Sequence, residues 1–387
     1  MPTEISMKLE SRKSSGELQE AGTRPQELRR LISLAAGGLG PMFNRDEQLF
    51  CHRFVLTSAG CVQEGLSPRY TVMTLLGLKE LEAAGIVSLV DLEGCYQALL
   101  RNTDWVRGVG DLGLLIWVTA IFKPDQVEAL LQRFSWTTAL QRYRDSRQAR
   151  TMELAWFLTG LAYAARLSPS LAERLTDTCM GTYHRIRANQ GGHGFFGHMS
   201  SERSLVGRMR GHIGSFADQV YPIFAMSKLA SFLHVEEAIK PARECGNAIC
   251  QAQGNLGQWW WLYDSHRAKI PSHYPVYAVH QHGMAPMALF ALAEATGICF
   301  DAAIFKGLEW IYGANELRVD MRDSARKTIW RCQRARARQS KYWSIASSAF
   351  RSSSAIRPVS DLEALYEQRP YEYGWLLFAF ARHSISA

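Results

Sequence analysis

QGGHGFFG, residues 190–197, and QGNLGQWWW, residues 253–261, decide how this chain is read. Gln190, Gly194 and Phe196 recur as Gln253, Gly257 and Trp259, at the same offsets and 63 residues apart. Repetition at a fixed period marks a repeated structural unit. The match continues downstream. Asp218 stands four residues before Pro222, and His282 stands four residues before Pro286. Proline is tolerated early in a helix and costs about 3 kcal/mol in its interior. Each unit therefore reads as an outer helix, a Q-x3-G-x-aromatic turn, a polar loop and an inner helix. The inner helices begin near Asp218 in one unit and near His282 in the next.

Six apolar segments fit the inner position, starting at Ser67, Gly110, Met152, Ser215, Val276 and Tyr371. They are apolar on most sides and show little β-branched alternation, as helices with neighbours all round should. More amphipathic segments, such as those from Pro124 and Pro169, lie between them. The expectation is an all-α fold, an (α/α)6 toroid of six helical hairpins. Residues 1–25 read as a disordered tail. Residues 26–387 read as one toroid domain with an insertion around 316–370.

The composition suits a folded chain, with 47% hydrophobic and 21% charged residues among 387. No apolar run approaches the ~18 residues of a membrane span. The first twenty residues are polar and lack the apolar core of a secretory signal, so the expected location is cytoplasmic. The eight cysteines are scattered, with no CxxC pair. They read as reduced thiols, with no disulfide framework and no zinc spacing. Between residues 318 and 351, ten Lys or Arg face only Asp320 and Asp323, an excess equal to the whole net charge of +8. That segment is a candidate peripheral membrane contact. No nucleic-acid motif accompanies it, so no nucleic-acid partner is expected.

The turns QGGHGFFG and QGNLGQWW resemble the glutamine–tryptophan turn of squalene-cyclase and prenyltransferase repeats. The wider resemblance is to the alpha/alpha-toroid superfamily, which also holds six-hairpin glycosidases, polysaccharide lyases and sugar epimerases. LFCHRF, GLSPRYT, GQWWWLYD and YPVYAVHQHGMAPMAL are similar to stretches of bacterial proteins associated with exopolysaccharide clusters. The toroid resemblance covers residues 45–387. The cyclase branch of it implies DxDD or DDxxD, and neither string occurs. The zinc set of a protein prenyltransferase is missing too.

In a toroid the inner-helix N-termini converge on one mouth, where free N–H groups favour anions. The starts supply Arg69 and Tyr70, Asp111, Glu153, Asp218 and Gln219, His280 to His282, and Tyr371 to Tyr373. Asp218, His282, His280, Glu153 and Glu372 are the catalytic candidates. Asp218 and His282 share a register and are expected to face each other as acid and base. His280 and His282 point about 200° apart on a regular helix, which argues against a two-histidine metal site. No metal or other cofactor is expected. Arg208 and Arg210 lie in a basic loop suited to an anion, together with Arg69. Trp260, Trp261, Tyr277 and Tyr371 offer aromatic faces to a sugar ring, and Gln281 a polar contact.

The function these residues suggest is a carbohydrate-active enzyme on an acidic, uronate-type saccharide in bacterial polysaccharide biosynthesis. The partner is an anionic small molecule or saccharide. Acid/base chemistry of lyase, epimerase or hydrolase type fits, and the wealth of His, Tyr and Arg favours the first two. A terpenoid or prenyl-diphosphate enzyme is the runner-up. A non-catalytic glycan-binding or scaffold protein is the third reading.

Overall fold

The computed structural model describes residues 25–134, 150–199, 210–336 and 358–382. The expected tail before residue 25, Arg208, and Arg338, Lys341 and Arg351 of the basic segment lie outside the described residues. Twelve helices appear among the described ones. They are α1 (25–39), α2 (Pro68–Ala83), α3 (Leu92–Arg101), α4 (Val109–Phe122), α5 (Val127–Arg133) and α6 (Thr151–Ala165). They continue as α7 (Pro169–Arg187), α8 (Ala217–Leu233), α9 (Ile239–Gln251), α10 (Ala285–Thr296), α11 (Asp301–Ile311) and α12 (Pro370–Phe380).

The even-numbered helices form the inner ring. α2 packs on α4, α4 on α6, α6 on α8, α8 on α10, and α12 on both α10 and α2. This closed circuit of six is the (α/α)6 toroid that the sequence suggested. Its core is apolar and aromatic, with Trp117, Trp375, Phe157 and Phe224 fully buried between inner helices. Glycine lets the inner helices touch where the ring closes. A Cβ on Gly77 of α2 would overlap the Gly374 carbonyl of α12, and Gly113 and Gly160 play the same part between α4 and α6. No helix among the described residues is long and apolar enough to cross a membrane.

The two quoted turns do one job. Gln190 Nε2 donates to the carbonyls of Gly194 (2.8 Å) and Pro241 (2.9 Å). Gln253 Nε2 donates to those of Gly257 (3.0 Å) and Ala303 (2.9 Å). Each glutamine thus ties its own turn to the first turn of the next outer helix. Gly194 and Gly257 adopt φ of +91° and +90°, the left-handed region that glycine enters without a Cβ penalty. Phe196 and Trp259 are fully buried beneath.

Short strands lie where the loops gather at the mouth. β1 (Phe43–Asn44), β2 (Leu49–Thr57) and β3 (Gly60–Leu66) form an antiparallel set before α2. β4 (Ile213–Ser215), β5 (Leu262–Asp264) and β6 (Lys269–Ser272) form a second. β7 (Val276–Tyr277) precedes a π-helical turn, His280–Met284, that leads into α10. The described parts of the expected insertion supply β8 (Arg322–Asp323), β9 (Thr328–Ile329), β10 (Cys332–Ala335), β11 (Leu362–Leu365) and β12 (Glu367–Gln368). β10 pairs with both β11 and β7, and β12 pairs with β2. The segment is therefore stitched across the mouth between the first and fifth units.

All eight cysteines are unpaired and five are buried. The basic segment looks different in three dimensions. Arg322 pairs with Glu27 and Asp320, Arg326 with Asp323, Arg331 with Glu372, and Arg334 with Glu363. The sequence excess counted only Asp320 and Asp323, whereas Glu27, Glu363 and Glu372 arrive from elsewhere in the chain.

Candidate active site at the toroid mouth

Two adjoining cavities open among the inner-helix N-termini. The inner one has a volume of about 260 Å³ and is walled by Trp156, Tyr221, Trp261, Tyr277 and Tyr371, with Arg69, His280 and Arg331. The outer vestibule, about 790 Å³, is lined by His52, Trp105, Arg107, Asp111, Arg150 and Glu153. Arg69 and Tyr70 line both and form the seam. A larger groove of about 960 Å³ runs along α1 and holds none of these convergent groups.

The seam is built from α2. Ser67 caps this helix by accepting the N–H of Tyr70 (3.2 Å), which sets Arg69 and Tyr70 in its first turn. Arg69 donates from Nε (2.8 Å) and Nη2 (2.7 Å) to Oδ1 of Asp111, in the first turn of α4. The other Asp111 oxygen accepts the Arg107 N–H at 3.3 Å. The Arg69 guanidinium also lies 5.4 Å from the centre of the Trp156 ring. Tyr70 packs on Tyr371 with ring centres 4.5 Å apart and accepts a hydrogen bond from Arg369 (2.8 Å).

Glu153 enters the vestibule from the first turn of α6, against Gly110. Burial pushes its carboxyl above the usual carboxylate range. The negative charge of Asp111 adds to this, while Arg150 at 3.5 Å and Arg69 oppose it. The vestibule therefore holds two carboxyl groups in unlike settings, one clamped by a guanidinium and one inclined to keep its proton. Divergence of that kind separates an acid from its partner in many active sites.

Among the described residues, no carboxylate lines the inner cavity. Arg331 reaches it from just before β10, with its guanidinium 5.1 Å from the Tyr277 ring centre. It is held from behind by a buried ion pair with Glu372. His280 lines the same cavity, its Nδ1 3.3 Å from the Trp259 carbonyl, so the imidazole carries its proton there. Burial pulls His280 down to about 3, and Arg331 adds to the shift. It is a neutral ring at ordinary pH.

Of the residues expected to act here, Arg69, Glu153, Trp261, Tyr277, His280 and Tyr371 line the two cavities. Asp218, His282, Gln281, Trp260 and Glu372 do not. Asp218 is fully buried and accepts from Met152 N, Ser215 N and Ser215 Oγ, with His198 Nδ1 3.0 Å away. It ties the first turn of α6, and so Glu153, to α8. Gln281 accepts from Trp259 N (3.3 Å), just as Gln219 accepts from Phe196 N (2.7 Å). Their Nε2 groups donate four residues back, to Tyr277 and Ser215. The two glutamines are therefore the equivalent positions. Asp218 then corresponds to His280, and the expected pairing of Asp218 with His282 was out of register. Trp260 is buried in the turn, with its indole N–H on the Ala252 carbonyl. Arg210 is in neither lining.

The sequence reading missed Trp156, Tyr221 and Arg331 in the inner wall, and His52, Trp105, Arg107 and Arg150 in the vestibule. Trp156 and Tyr221 lie three residues after Glu153 and Asp218, one helical turn deeper on the same face, and that spacing was available to find them. Arg331 had no comparable signal, because β-pairing across the chain brings it in.

No protein-family model matches the chain, and no curated protein does. Solved structures do resemble it. One is an unsaturated glucuronyl hydrolase from Bacillus sp. GL1, described as responsible for glycosaminoglycan degradation. It shares 13% identity over 92% of this chain and 96% of its own, with a TM-score of 0.58. An unsaturated glucuronyl hydrolase specific for heparin has 13% identity over 92% and 96%, with a TM-score of 0.57. A family 88 glycosyl hydrolase from Bacteroides vulgatus has 11% identity over 93% and 99%, with a TM-score of 0.56. At such identity the likeness is one of fold.

Proposed function

We propose that the chain is a glycoside hydrolase acting on a saccharide that ends in a uronate. The observation that carries this reading is the contrast at the seam: an aromatic chamber with two guanidinium groups, opening onto a pair of carboxyl groups. Aromatic faces suit the apolar side of a sugar ring. Arg69 and Arg331 suit its carboxylate, since guanidinium binds carboxylate by paired N–H donors. The structural neighbours named for unsaturated glucuronides support the same substrate class.

Glu153 acts as the acid. It gives its proton to the oxygen leaving the sugar as the glycosidic C–O bond breaks, and water supplies the hydroxyl that replaces it. Asp111, held by Arg69, faces the positive charge that develops on the ring. Asp218 positions Glu153 through the Met152 N–H. A lyase or epimerase reading asks His280 or a tyrosine to be the base. His280 is too weakly basic, and burial pushes the Tyr277 hydroxyl up to about 12.

The test is turnover of oligosaccharides ending in saturated or unsaturated uronate, followed by release of the new reducing end. Glu153→Gln should lower kcat by ~10²–10⁴ while the fold is retained. An enzyme that cleaves none of these uronides, and is stabilised against heat by prenyl diphosphates instead, would overturn the proposal.

A further inference from the structure

We infer that the vestibule recognises a second anionic group, carried on the leaving part of the saccharide, with Arg107 as its partner and Trp105 as the platform beneath its ring. This rests on the hydrolase reading above and narrows its substrate to a polyanionic chain.

The vestibule has about three times the volume of the inner cavity, roughly 790 against 260 Å³. A substrate that left it empty would use only the smaller compartment. Its charges are not balanced among the described residues. Arg69 is matched by Asp111, and Arg150 lies 3.5 Å from Glu153. Arg107 lines the same space, is exposed, and has no acidic side-chain partner among the described residues. Its backbone N–H is fixed on Asp111, so the residue is anchored beside the carboxyl pair while its guanidinium remains available. When Glu153 carries the proton it is to donate, the surplus of positive charge in the vestibule grows. An anion on the leaving sugar answers that surplus, and a neutral sugar does not.

Trp105 supplies the geometry. Its indole N–H donates to the Leu99 carbonyl at 3.2 Å, which fixes the ring at the end of α3 while leaving it part exposed. A held aromatic face beside a cation suits a charged sugar, whose ring stacks while its carboxylate or sulfate meets the guanidinium.

The test uses three disaccharides that share the uronate and differ only in the reducing-end sugar: neutral, carboxylated or sulfated. For the whole protein, kcat/KM should favour the anionic leaving sugars by roughly tenfold at low salt. The preference should shrink as ionic strength rises, because the group is exposed. Arg107→Gln should bring the ratio towards one, and Arg107→Lys should keep most of it. The carboxylated and sulfated arms tell which anion is meant. A wild-type ratio near one, or a ratio that survives Arg107→Gln, overturns the inference and leaves the hydrolase reading standing. Cleavage of none of the three removes both together.

Discussion

The two compartments at the mouth share Arg69 and Tyr70 yet are built on opposite principles. The inner chamber is served by two guanidinium groups, Arg69 at the seam and the buried Arg331, and it keeps Arg331's partner Glu372 out of its wall. The vestibule has both carboxyl groups in its lining, Asp111 buried against Arg69 and Glu153 half-buried, and keeps its cations near water. A fully enclosed charge is costly unless paired and hydrogen-bonded. The inner chamber meets that demand from behind, so among the described residues its wall presents guanidinium groups, aromatic rings and the neutral His280 but no carboxylate. Near solvent the demand is weaker, and acids and bases share one surface. The lesson is that burial sorts charge: deep sites present one sign, shallow sites present both.

The sharpest way to break this contrast is Glu372→Ala. It leaves Arg331 buried with only the longer contact to Glu367, 3.7 Å away. Loss of one member of a buried pair costs about 3–5 kcal/mol, so urea unfolding should show a fall of that order. The equivalent cut in the vestibule, Arg150→Ala beside the half-buried Glu153, should stay within about 1 kcal/mol because Arg150 itself is exposed. Equal losses at the two sites would refute the contrast.

The contrast also has a pH dependence. His280 and His282 are fully buried and both drawn down to about 3 by desolvation. Unfolded, they titrate near 6.5. Their folded values are depressed, so the unfolded chain binds protons first as pH falls. Stability is therefore full above about 6.5 and is lost on acidification towards about 3. At about pH 5 each histidine should account for ~2 kcal/mol of lost stability. Unfolding midpoints measured from neutral to acid pH check this, with His282→Asn reducing the slope. Glu153 has the opposite sign. Its folded value is raised, so its contribution is present at low pH and is lost as pH rises through that value.

The smallest effect belongs to the aromatic wall. Trp261→Ala should weaken a bound uronate by about 1 kcal/mol, close to fivefold in Kd, because only stacking is lost. Titration calorimetry with a uronic acid reads it directly. A loss of a hundredfold would mean that Trp261 does more than stack.

Much of the ring was legible in the sequence, because helical periodicity and the Q-x3-G-x-aromatic turn are both local signals. Gln190 and Gln253 could be matched by eye, and the structure gives them the same pair of carbonyls. The register of the next segment was less secure. Pro222 lies inside α8, whereas Pro286 follows a π-helical turn, so counting back from proline misaligned Asp218 with His282. The matched glutamines, Gln219 and Gln281, carry the true register. The short strands went unread because each is two to nine residues long and depends on a distant partner. Arg331 was hidden for the same reason. In sequence it was one of ten basic residues, and only its pairing with Glu372, 41 residues on, sets it apart.

Closure of the ring carries a consequence for the order in which the molecule comes together. The seam residue Tyr70 is hydrogen-bonded to Arg369, 299 positions away, and Gly77 is pressed against Gly374. The five earlier hairpins can each form from nearby chain, but the mouth cannot. During synthesis it stays an open arc, with the α2 face and the Arg331 side chain waiting for the sixth inner helix. Contacts so distant in sequence are slow to form. The last turn of the circle is thus also the assembly step for binding, and a chain halted after its fifth hairpin would hold most of the core and none of the finished chamber.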